Sequence, residues 1–279
     1  MRPSRDGIIK MSLRRKKQLI NNNKHVFGKF AEYYDLIYFD KNYEKECMFL
    51  LSVIQKNKIS GKMLVDFGCG TGEHAIILSE KGYDVTGIDK SKKILSIAQK
   101  KIVERNDSIQ LVHGDISTIK LKKKFDIAIS MFSTLCYITN IQKFKEALKN
   151  IRIHLKTNGV LIFDYWNGNA VITQKPSIKT KKVQLRNLDI TRIATPTLNL
   201  QNQTCAIEYY FKVKKKSHLI DDFKEVHTIR YYFPEEIKRH LNDAGFNKVN
   251  IISMSSKKKS VNEIFLNNWY LFVVAKKQN

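Results

Sequence analysis

From about Asn42 onward, segments with helical spacing of hydrophobic residues alternate with short apolar runs that are typical of buried strands. Between Asn140 and Leu155, hydrophobic side chains recur every three or four residues, which places them on one helix face. Ser91 suits the N-cap of another helix, which continues to about Glu104. The strands predicted between the helices cover 62–67, 83–88, 109–112, 125–131 and 160–164. This alternation predicts a doubly wound parallel α/β sheet with helices on both faces.

After about Gly168, the apolar residues change to alternation at every second position. Positions 205 to 213 follow this pattern, as do 229, 231 and 233, and one more strand is predicted over 183–193. A helix resumes at Pro234, which suits a first helical turn, and ends at Gly245. Closing strands are predicted near 248–253 and 269–275. The pattern therefore predicts a seven-stranded Rossmann-like sheet with an antiparallel β insertion after strand 5.

Three segments follow from this order. Residues 1–25, with eight Lys or Arg against one Asp, are expected to form a basic, flexible tail. Residues 26–168 and 231–279 are expected to form the α/β domain, and 169–230 an antiparallel β cap inserted in it. Insertions at the carboxyl end of a parallel sheet commonly cover its ligand crevice.

Charge and cysteine content narrow the classes of function. The chain has 50 Lys and Arg against 26 Asp and Glu, a formal net charge of +24. The excess is largely scattered lysine, which favours a solvated surface over a nucleic-acid patch, although a polyanion partner stays open. No apolar run approaches the roughly 18–20 residues that span a bilayer, so we expect no membrane association. The dispersed cysteines and histidines favour a reducing, cytoplasmic compartment and no bound metal.

The most informative segment is 64–72. It contains the end of the first predicted strand and the glycine-rich loop that follows it. Its spacing is G-x-G-x-G, and Glu73 stands where a dinucleotide fingerprint would carry its third glycine. Asp66 lies in the preceding strand, and acidic groups around such a loop disfavour a pyrophosphate and favour a cation. Asp89 ends the second strand, where its carboxylate can accept from both hydroxyls of a ribose. Asp115 follows the third strand and could accept from an adenine amine, while Ile116 packs on the ring.

This set of residues resembles the class I S-adenosylmethionine-dependent methyltransferases. The resemblance covers about 27–164 and 231–246, and its motifs are Asp66 to Gly72, Asp89, Gly114-Asp115 and Ser130-Met131-Phe132. Within that family the chain is most similar to the N,N-dimethyltransferases of nucleotide-linked amino sugars. The segments that carry this closer similarity are 34–38, 131–137, 163–166 and the inserted antiparallel strands.

The resemblance implies a cofactor, S-adenosylmethionine, which leaves as S-adenosylhomocysteine, and a set of contacts for it. The implied cofactor-binding residues are Tyr34, Asp66, Gly68, Cys69, Gly70, Thr71, Asp89, Lys90, Asp115, Ile116, Met131 and Phe132. The implied substrate-binding residues are Tyr38, Tyr137 and Trp166, and Tyr137 is the candidate catalytic residue. The amino-sugar enzymes carry a catalytic histidine at the position of Tyr137, so the tyrosine here is a departure. An unperturbed phenol with a pKa near 10 is a poor base at pH 7.

The sequence thus predicts methyl transfer to a nitrogen or an oxygen of a small polar metabolite, in particular an amino sugar or sugar nucleotide. One alternative is an RNA or protein methyltransferase that uses the lysine-rich surface. Another is a protein that binds S-adenosylmethionine without turnover. The three lysines within 179–182 are expected to face solvent, and they are the first candidates for binding a phosphate on the substrate. His74 is expected to be structural, and a homodimer stays open.

Overall fold

The computed structural model describes residues 26–254 and 261–277, so the predicted basic tail, 1–25, lies outside the described residues. Its larger sheet has seven strands in the order β10-β11-β5-β4-β1-β2-β3. The strands are β1 (Met63–Phe67), β2 (Asp84–Asp89), β3 (Gln110–His113), β4 (Phe125–Ser130), β5 (Leu155–Trp166), β10 (Phe246–Ile252) and β11 (Tyr270–Lys277). Strands β1 to β5 pair in parallel, whereas β11 pairs antiparallel with both β5 and β10. The predicted Rossmann-like, doubly wound sheet is confirmed.

Helices connect these strands, and their ends follow the capping residues in the sequence. They are α1 (Phe30–Ile37), α2 (Tyr43–Lys56), α3 (Glu73–Glu80), α4 (Lys92–Arg105), α5 (Ile141–His154), α6 (Gly168–Gln174), α7 (Pro234–Asp243) and α8 (Val261–Asn267). A short 3₁₀ helix covers Thr134–Tyr137. The side chain of Ser91 accepts from the Ile94 amide at 3.3 Å and caps α4, as predicted. Asn140 caps α5 in the same way through the Lys143 amide.

A second sheet of four antiparallel strands forms the insertion. Its strands follow chain order as β6 (Lys179–Leu185), β7 (Leu188–Asn199), β8 (Thr204–Lys215) and β9 (His218–Arg230). The single strand predicted over 183–193 is wrong, because the chain turns back at Arg186 and Asn187. Val183 then pairs with Ile190 across the hairpin, and both side chains are buried. In the sequence, the apolar positions of these two facing strands therefore look like those of a single strand.

Helices α1, α6 and α8 were not predicted from the sequence, and the last two lie in contact with each other. Helix α6 lies in the segment assigned to the cap, and the Gln174 side chain donates to the Asn267 carbonyl of α8 at 2.8 Å. The antiparallel strands therefore begin at Lys179 rather than at residue 169. Helices α6 and α8 have seven residues each, which make about two turns. This length is too short for the helical spacing of apolar residues to be recognised in the sequence. The division of the chain into an α/β domain and a cap stays a prediction.

The second sheet packs against both the large sheet and α1. Cys205, Ile207 and Ile229 belong to the same buried cluster as strands β4 and β5. Phe211 packs against Phe30 of α1, with ring centroids 4.8 Å apart. Helix α1 and the second sheet thus enclose the space above the carboxyl ends of the parallel strands. No helix in the part of the chain that the structure describes is sufficiently long and apolar to cross a membrane.

Candidate active site

A cavity of about 580 Å³ lies at the carboxyl ends of the parallel strands. The glycine loop and the ends of β2 and β4 form one side, and α1 and the strands β8 and β9 form the other. Its volume falls within the range of roughly 300–1,000 Å³ found for small-molecule sites. The insertion therefore covers the ligand crevice that the parallel sheet creates.

The glycine loop brings backbone atoms directly to the cavity wall. Gly68, Gly70 and Gly72 have φ angles of 81°, 58° and 87°, in the left-handed region that favours glycine. A Cβ atom on Gly68 would lie 2.1 Å from the Thr134 side chain, so the loop packs tightly there. A Cβ on Gly70 would meet no atom within 4 Å, because this residue faces open space. The loop is thus held by packing at Gly68 and exposed to a ligand at Gly70.

Asp89 ends β2 and connects the glycine loop to the start of α4. One of its carboxylate oxygens accepts from the Gly70 amide at 3.1 Å, and the other accepts from the Ser91 amide at 2.8 Å. Burial raises the pKa of Asp89, although these amides oppose the rise. Because the carboxylate also lines the cavity, it can accept further hydrogen bonds from a ligand. This position fits the predicted contact to a ribose.

Asp66 is a buried carboxylate whose two oxygens have no hydrogen-bond partner among the described residues. Burial raises its pKa to about 7; nearby His74 opposes the rise and Asp89 adds to it. The side chain is 1% exposed and does not line the cavity, unlike the other predicted cofactor residues. His74 lines the cavity and is held by Glu46, whose carboxylate lies 2.7 Å from its Nε2. A nearby cation would stabilise the ionised form of a buried carboxyl group that has no hydrogen-bond partner.

Asp115 and Lys90 form an ion pair at the outer edge of the cavity. The Lys90 ammonium donates to one Asp115 oxygen at 2.9 Å, and the Ser117 amide donates to the other at 2.9 Å. Burial raises the pKa of Asp115, but the hydrogen bonds from Ser117 and Lys90 outweigh it and lower the pKa to about 2. Asp115 is therefore ionised at neutral pH, beside Ile116 in the cavity wall.

The loop after β4 carries Phe132 and Ser133 in the left-handed region, with φ angles of 59° and 57°. Asp164, near the end of β5, accepts from the Ser133 amide at 2.9 Å and from its hydroxyl at 2.8 Å. These bonds hold the loop so that Phe132 faces the cavity. Its ring meets the ring of Tyr38 edge-on, with centroids 5.1 Å apart. Strand β5 thus positions an aromatic contact that the loop alone would not fix.

Aromatic side chains from several elements dominate the end of the cavity away from the glycine loop. They are Tyr38, Phe132, Tyr137, Trp166, Tyr209 and Tyr270. Arg192 lies beside this end, with its guanidinium carbon 5.4 Å from the centre of the Tyr209 ring. Its positive charge opposes the rise that burial causes in the pKa of Tyr38. This half combines flat apolar faces with hydroxyl groups and one neighbouring cation. Such a lining suits a polar ligand that also presents apolar faces.

The Tyr137 hydroxyl lies 3.1 Å from Nδ1 of His227, which comes from β9. Nε2 of the same imidazole lies 2.8 Å from a carboxylate oxygen of Glu225. Neither His227 nor Glu225 was predicted from the sequence as a site residue. The available signal was the alternation along β9, which places 225, 227 and 229 on one face of the strand. The structure thus places an imidazole directly behind the candidate catalytic tyrosine.

Fourteen of the predicted site residues line the cavity, and Asp66 does not. Those lining it are Tyr34, Tyr38, Gly68, Cys69, Gly70, Thr71, Asp89, Lys90, Asp115, Ile116, Met131, Phe132, Tyr137 and Trp166. Lining residues that the sequence did not indicate include Phe27, Ile207, Tyr209, Ile229 and Tyr270. Lys179, Lys181 and Lys182, the first candidates for a substrate phosphate, do not line it, and Lys181 pairs with Asp40 instead.

Comparison with known proteins supplies the chemistry for this geometry. Residues 64–159 match the family model described as a methyltransferase domain. A dTDP-3-amino-3,6-dideoxy-alpha-D-glucopyranose N,N-dimethyltransferase from Streptomyces fradiae is 26% identical over 220 residues, which cover 78% of this chain and 84% of that protein. The chain is an S-adenosylmethionine-dependent methyltransferase.

Solved structures of methyltransferases share the fold. An S-adenosylmethionine-dependent methyltransferase from Clostridium acetobutylicum superposes with a TM-score of 0.74 at 23% identity, covering 91% of this chain and all 100% of that chain. DesVI from Streptomyces venezuelae superposes with a TM-score of 0.73 at 21% identity, covering 89% of this methyltransferase and 98% of that chain. The shared fold therefore extends over about nine tenths of this chain in both comparisons.

The residues of this methyltransferase fit the cofactor in two respects. Gly70 leaves open space where a side chain would otherwise stand, so a ligand can lie against the loop backbone. The unpartnered Asp66 carboxylate, next to that loop, suits a ligand that carries a positively charged ammonium and sulfonium. The glycine loop, Asp89 and Asp115 together could therefore hold the methionine, ribose and adenine parts in that order along the cavity.

Proposed function

We propose that this methyltransferase acts on the amino nitrogen of a small polar acceptor, and that the acceptor is an amino sugar carried on a nucleotide. The observation that carries the proposal is the aromatic end of the cavity, which the insertion walls in and where Tyr137 presents its hydroxyl. The similarity to an amino-sugar N,N-dimethyltransferase over most of both chains supports the same acceptor class.

The proposal assigns the two ends of the cavity to two ligands. The cofactor end comprises the glycine loop, Asp89, Asp115 and Met131, with Tyr34 closing it from α1. The acceptor end comprises the aromatic residues, among which Tyr38 and Trp166 are the proposed sugar contacts. Flat aromatic faces pack well against the apolar face of a sugar ring, while hydroxyl groups contact its polar edge.

The bound cofactor supplies an electrophilic methyl group, so that the acceptor nitrogen's lone pair forms the new N–C bond while the C–S electron pair remains on sulfur. The protein positions the amine in line with that methyl at the end of the cavity that the insertion covers. A primary amine with a pKa near 10 is mostly protonated at pH 7, so it must lose a proton before it can attack. Tyr137 is the proposed group that receives the hydrogen bond from this amine.

Arg192 is the proposed partner of a phosphate on the acceptor. It lies beside Tyr38 and Tyr209, whereas the lysines that line the cavity, at 90, 92 and 93, lie next to Asp89 at the cofactor end. A guanidinium can bind a phosphate through two parallel hydrogen bonds. This arrangement favours a nucleotide-linked sugar over a free one.

The test is a screen for release of S-adenosylhomocysteine. The acceptors are dTDP-3-amino-3,6-dideoxy-α-D-glucopyranose, its 3-hydroxy analogue, a free amino sugar, glycine and total RNA. We expect turnover with the amino-sugar nucleotide and at least a tenfold lower kcat/KM for the free sugar, because a charged hydrogen bond contributes about 1.5–3 kcal/mol. Turnover with RNA or glycine alone would overturn the proposal.

A further inference from the structure

His227 is a buried polar side chain that the proposed function does not yet use. It is 0% exposed, and its two ring nitrogens each lie within hydrogen-bond distance of one partner. Nδ1 contacts the Tyr137 hydroxyl, and Nε2 contacts the Glu225 carboxylate. The three groups form a chain that begins at the acceptor end of the cavity and leads away from it.

The charge of Glu225 fixes the direction of the hydrogen bond at Nε2 of His227. Burial raises the pKa of Glu225, but the hydrogen bond from His227 and the amides of Phe30 and Phe27 outweigh it and lower the pKa. The ionised carboxylate only accepts, so Nε2 of His227 carries the proton. When this is the single ring proton, Nδ1 accepts a hydrogen bond from the phenol of Tyr137, and this tautomer is the starting state of the proton relay proposed below. The phenol oxygen is thereby left to accept from a ligand in the cavity.

Aromatic rings surround the imidazole and exclude water from it. The rings of Phe27, Tyr209 and Phe30 have centroids 4.9, 5.0 and 5.3 Å from the centre of the His227 ring. In such surroundings a proton on Nδ1 has to come from Tyr137, which is the group that joins the imidazole to the cavity. The pocket around His227 therefore permits transfer along one route.

Tyr137 needs such a partner if it is to accept a proton. Burial raises its pKa well above 10, and Tyr209, Tyr38 and Glu225 add to the rise. A phenolate is then absent at neutral pH, and the neutral phenol can take up a proton only while it gives its own away. An imidazole with an ionised carboxylate behind it is the group that proteins use most often for this purpose.

We propose that His227, oriented by Glu225, is the final proton acceptor of the reaction and acts through the Tyr137 hydroxyl. This inference rests on the proposed function. As the acceptor amine gives up a proton to the Tyr137 oxygen, the phenolic proton moves to Nδ1 of His227, and the imidazolium is paired with Glu225. Tyr137 remains neutral throughout, and the proton later returns to solvent by the same route. The imidazole is thus supplied from strand β9 of the insertion, behind the tyrosine that lines the cavity.

The kinetic test compares Tyr137→Phe, His227→Gln and the double variant, with dTDP-3-amino-3,6-dideoxy-α-D-glucopyranose as the acceptor. Each single variant is expected to lower kcat by about 10²-fold or more, as is typical for loss of a general base. The kcat of the double variant is expected to lie no more than about threefold below that of the less active single variant, because the two residues act as one unit. His218→Gln, an exposed histidine on the same strand, is the matched control and keeps the wild-type kcat.

A second readout does not depend on turnover. The ¹⁵N resonances of His227, with S-adenosylhomocysteine bound, are expected to show a protonated Nε2 and an unprotonated, hydrogen-bonded Nδ1. Tyr137→Phe should shift the Nδ1 resonance toward the value of an unprotonated ring nitrogen without a hydrogen bond. Glu225→Gln should change the share of molecules in which Nε2 carries the proton. Affinity for S-adenosylhomocysteine, measured by calorimetry, should change by no more than about twofold in each variant, which shows that the fold is retained.

Failure of the relay and failure of the proposed function give different results. If the wild-type protein turns over the amino-sugar nucleotide and His227→Gln keeps its kcat, the relay is wrong and the function stands. A protonated Nδ1 in the wild-type spectrum would also refute the relay. If no amine acceptor is turned over by the wild-type protein, the proposed function fails, and a spectrum with unprotonated Nδ1 then shows only the hydrogen-bonded chain.

Discussion

Replacement of Asp89 by alanine tests whether this carboxylate binds the ribose of the cofactor. The side chain has two duties in the structure: it accepts from the amides of Gly70 and Ser91, and it lines the cavity. Asp89→Ala would remove both. The variant should therefore lose stability, because the amides lose their partner, and it should separately lose affinity for the cofactor.

The size of each effect follows from the hydrogen bonds involved. A hydrogen bond to a charged group contributes about 1.5–3 kcal/mol, and about 1.4 kcal/mol corresponds to a tenfold change in affinity. Loss of the ribose contact should raise the Kd for S-adenosylhomocysteine by roughly 10- to 150-fold. Loss of the two amide contacts should lower the free energy of unfolding by about 1–3 kcal/mol, since Gly70 is exposed to solvent in the cavity.

Calorimetry with S-adenosylhomocysteine and urea unfolding measure the two effects independently. Asp84→Ala is the matched control, because Asp84 begins the same strand, is exposed and is remote from the cavity. It should leave the Kd unchanged. If Asp89→Ala loses stability but binds S-adenosylhomocysteine as the wild type does, Asp89 serves only to hold the loop and the ribose assignment is wrong.

Three further outcomes follow from the site. Asp66 has a folded pKa of about 7, above the unfolded value of about 3.9, so the free energy of unfolding should fall as pH rises between these values. Urea titrations at pH 5 and 8 cover about two pH units of that range, so the fall between them should be about 3 kcal/mol, and Asp66→Asn should abolish it. Gly70→Ala should weaken S-adenosylhomocysteine binding while Tm falls only slightly, whereas Gly68→Ala should also lower Tm strongly in thermal scans because its Cβ would lie 2.1 Å from a neighbouring side chain. Arg192→Gln should raise KM about tenfold or more for the amino-sugar nucleotide and leave that for the free sugar unchanged; equal changes for both would exclude a phosphate contact.

The cofactor half of the site could be predicted because its residues follow their strands directly. Asp66, Asp89 and Asp115 each stand at or just after a strand end, and the parallel order of the sheet brings these ends together. The glycine spacing then marks where the backbone has to approach a ligand. Local sequence and one rule of topology are sufficient for this half.

The acceptor half could not be predicted in the same way, because distant pairing creates it. Tyr137 and His227 are 90 residues apart in the chain, and no local pattern relates them. Tyr270 reaches the cavity because β11 pairs with β5 opposite Trp166. Alternation along β8 and β9 predicts which residues face inward, but it does not indicate what they meet. The sequence therefore predicts inward-facing residues without their partners.

The same contrast applies to the strand that supplies the groups behind Tyr137. Strand β9 supplies Glu225, His227 and Ile229 from one face, and residue 227 pairs with Ile207 of β8, which also lines the cavity. Because side chains alternate along a strand, a slip of one residue would turn all three to the opposite face of the sheet. The irregularity between Val213 and Lys214, near the hairpin end, therefore has to be confined there, since it would otherwise shift the register at His227. The register of this one hairpin decides whether an imidazole stands behind Tyr137, whereas the glycine loop follows β1 in the other sheet.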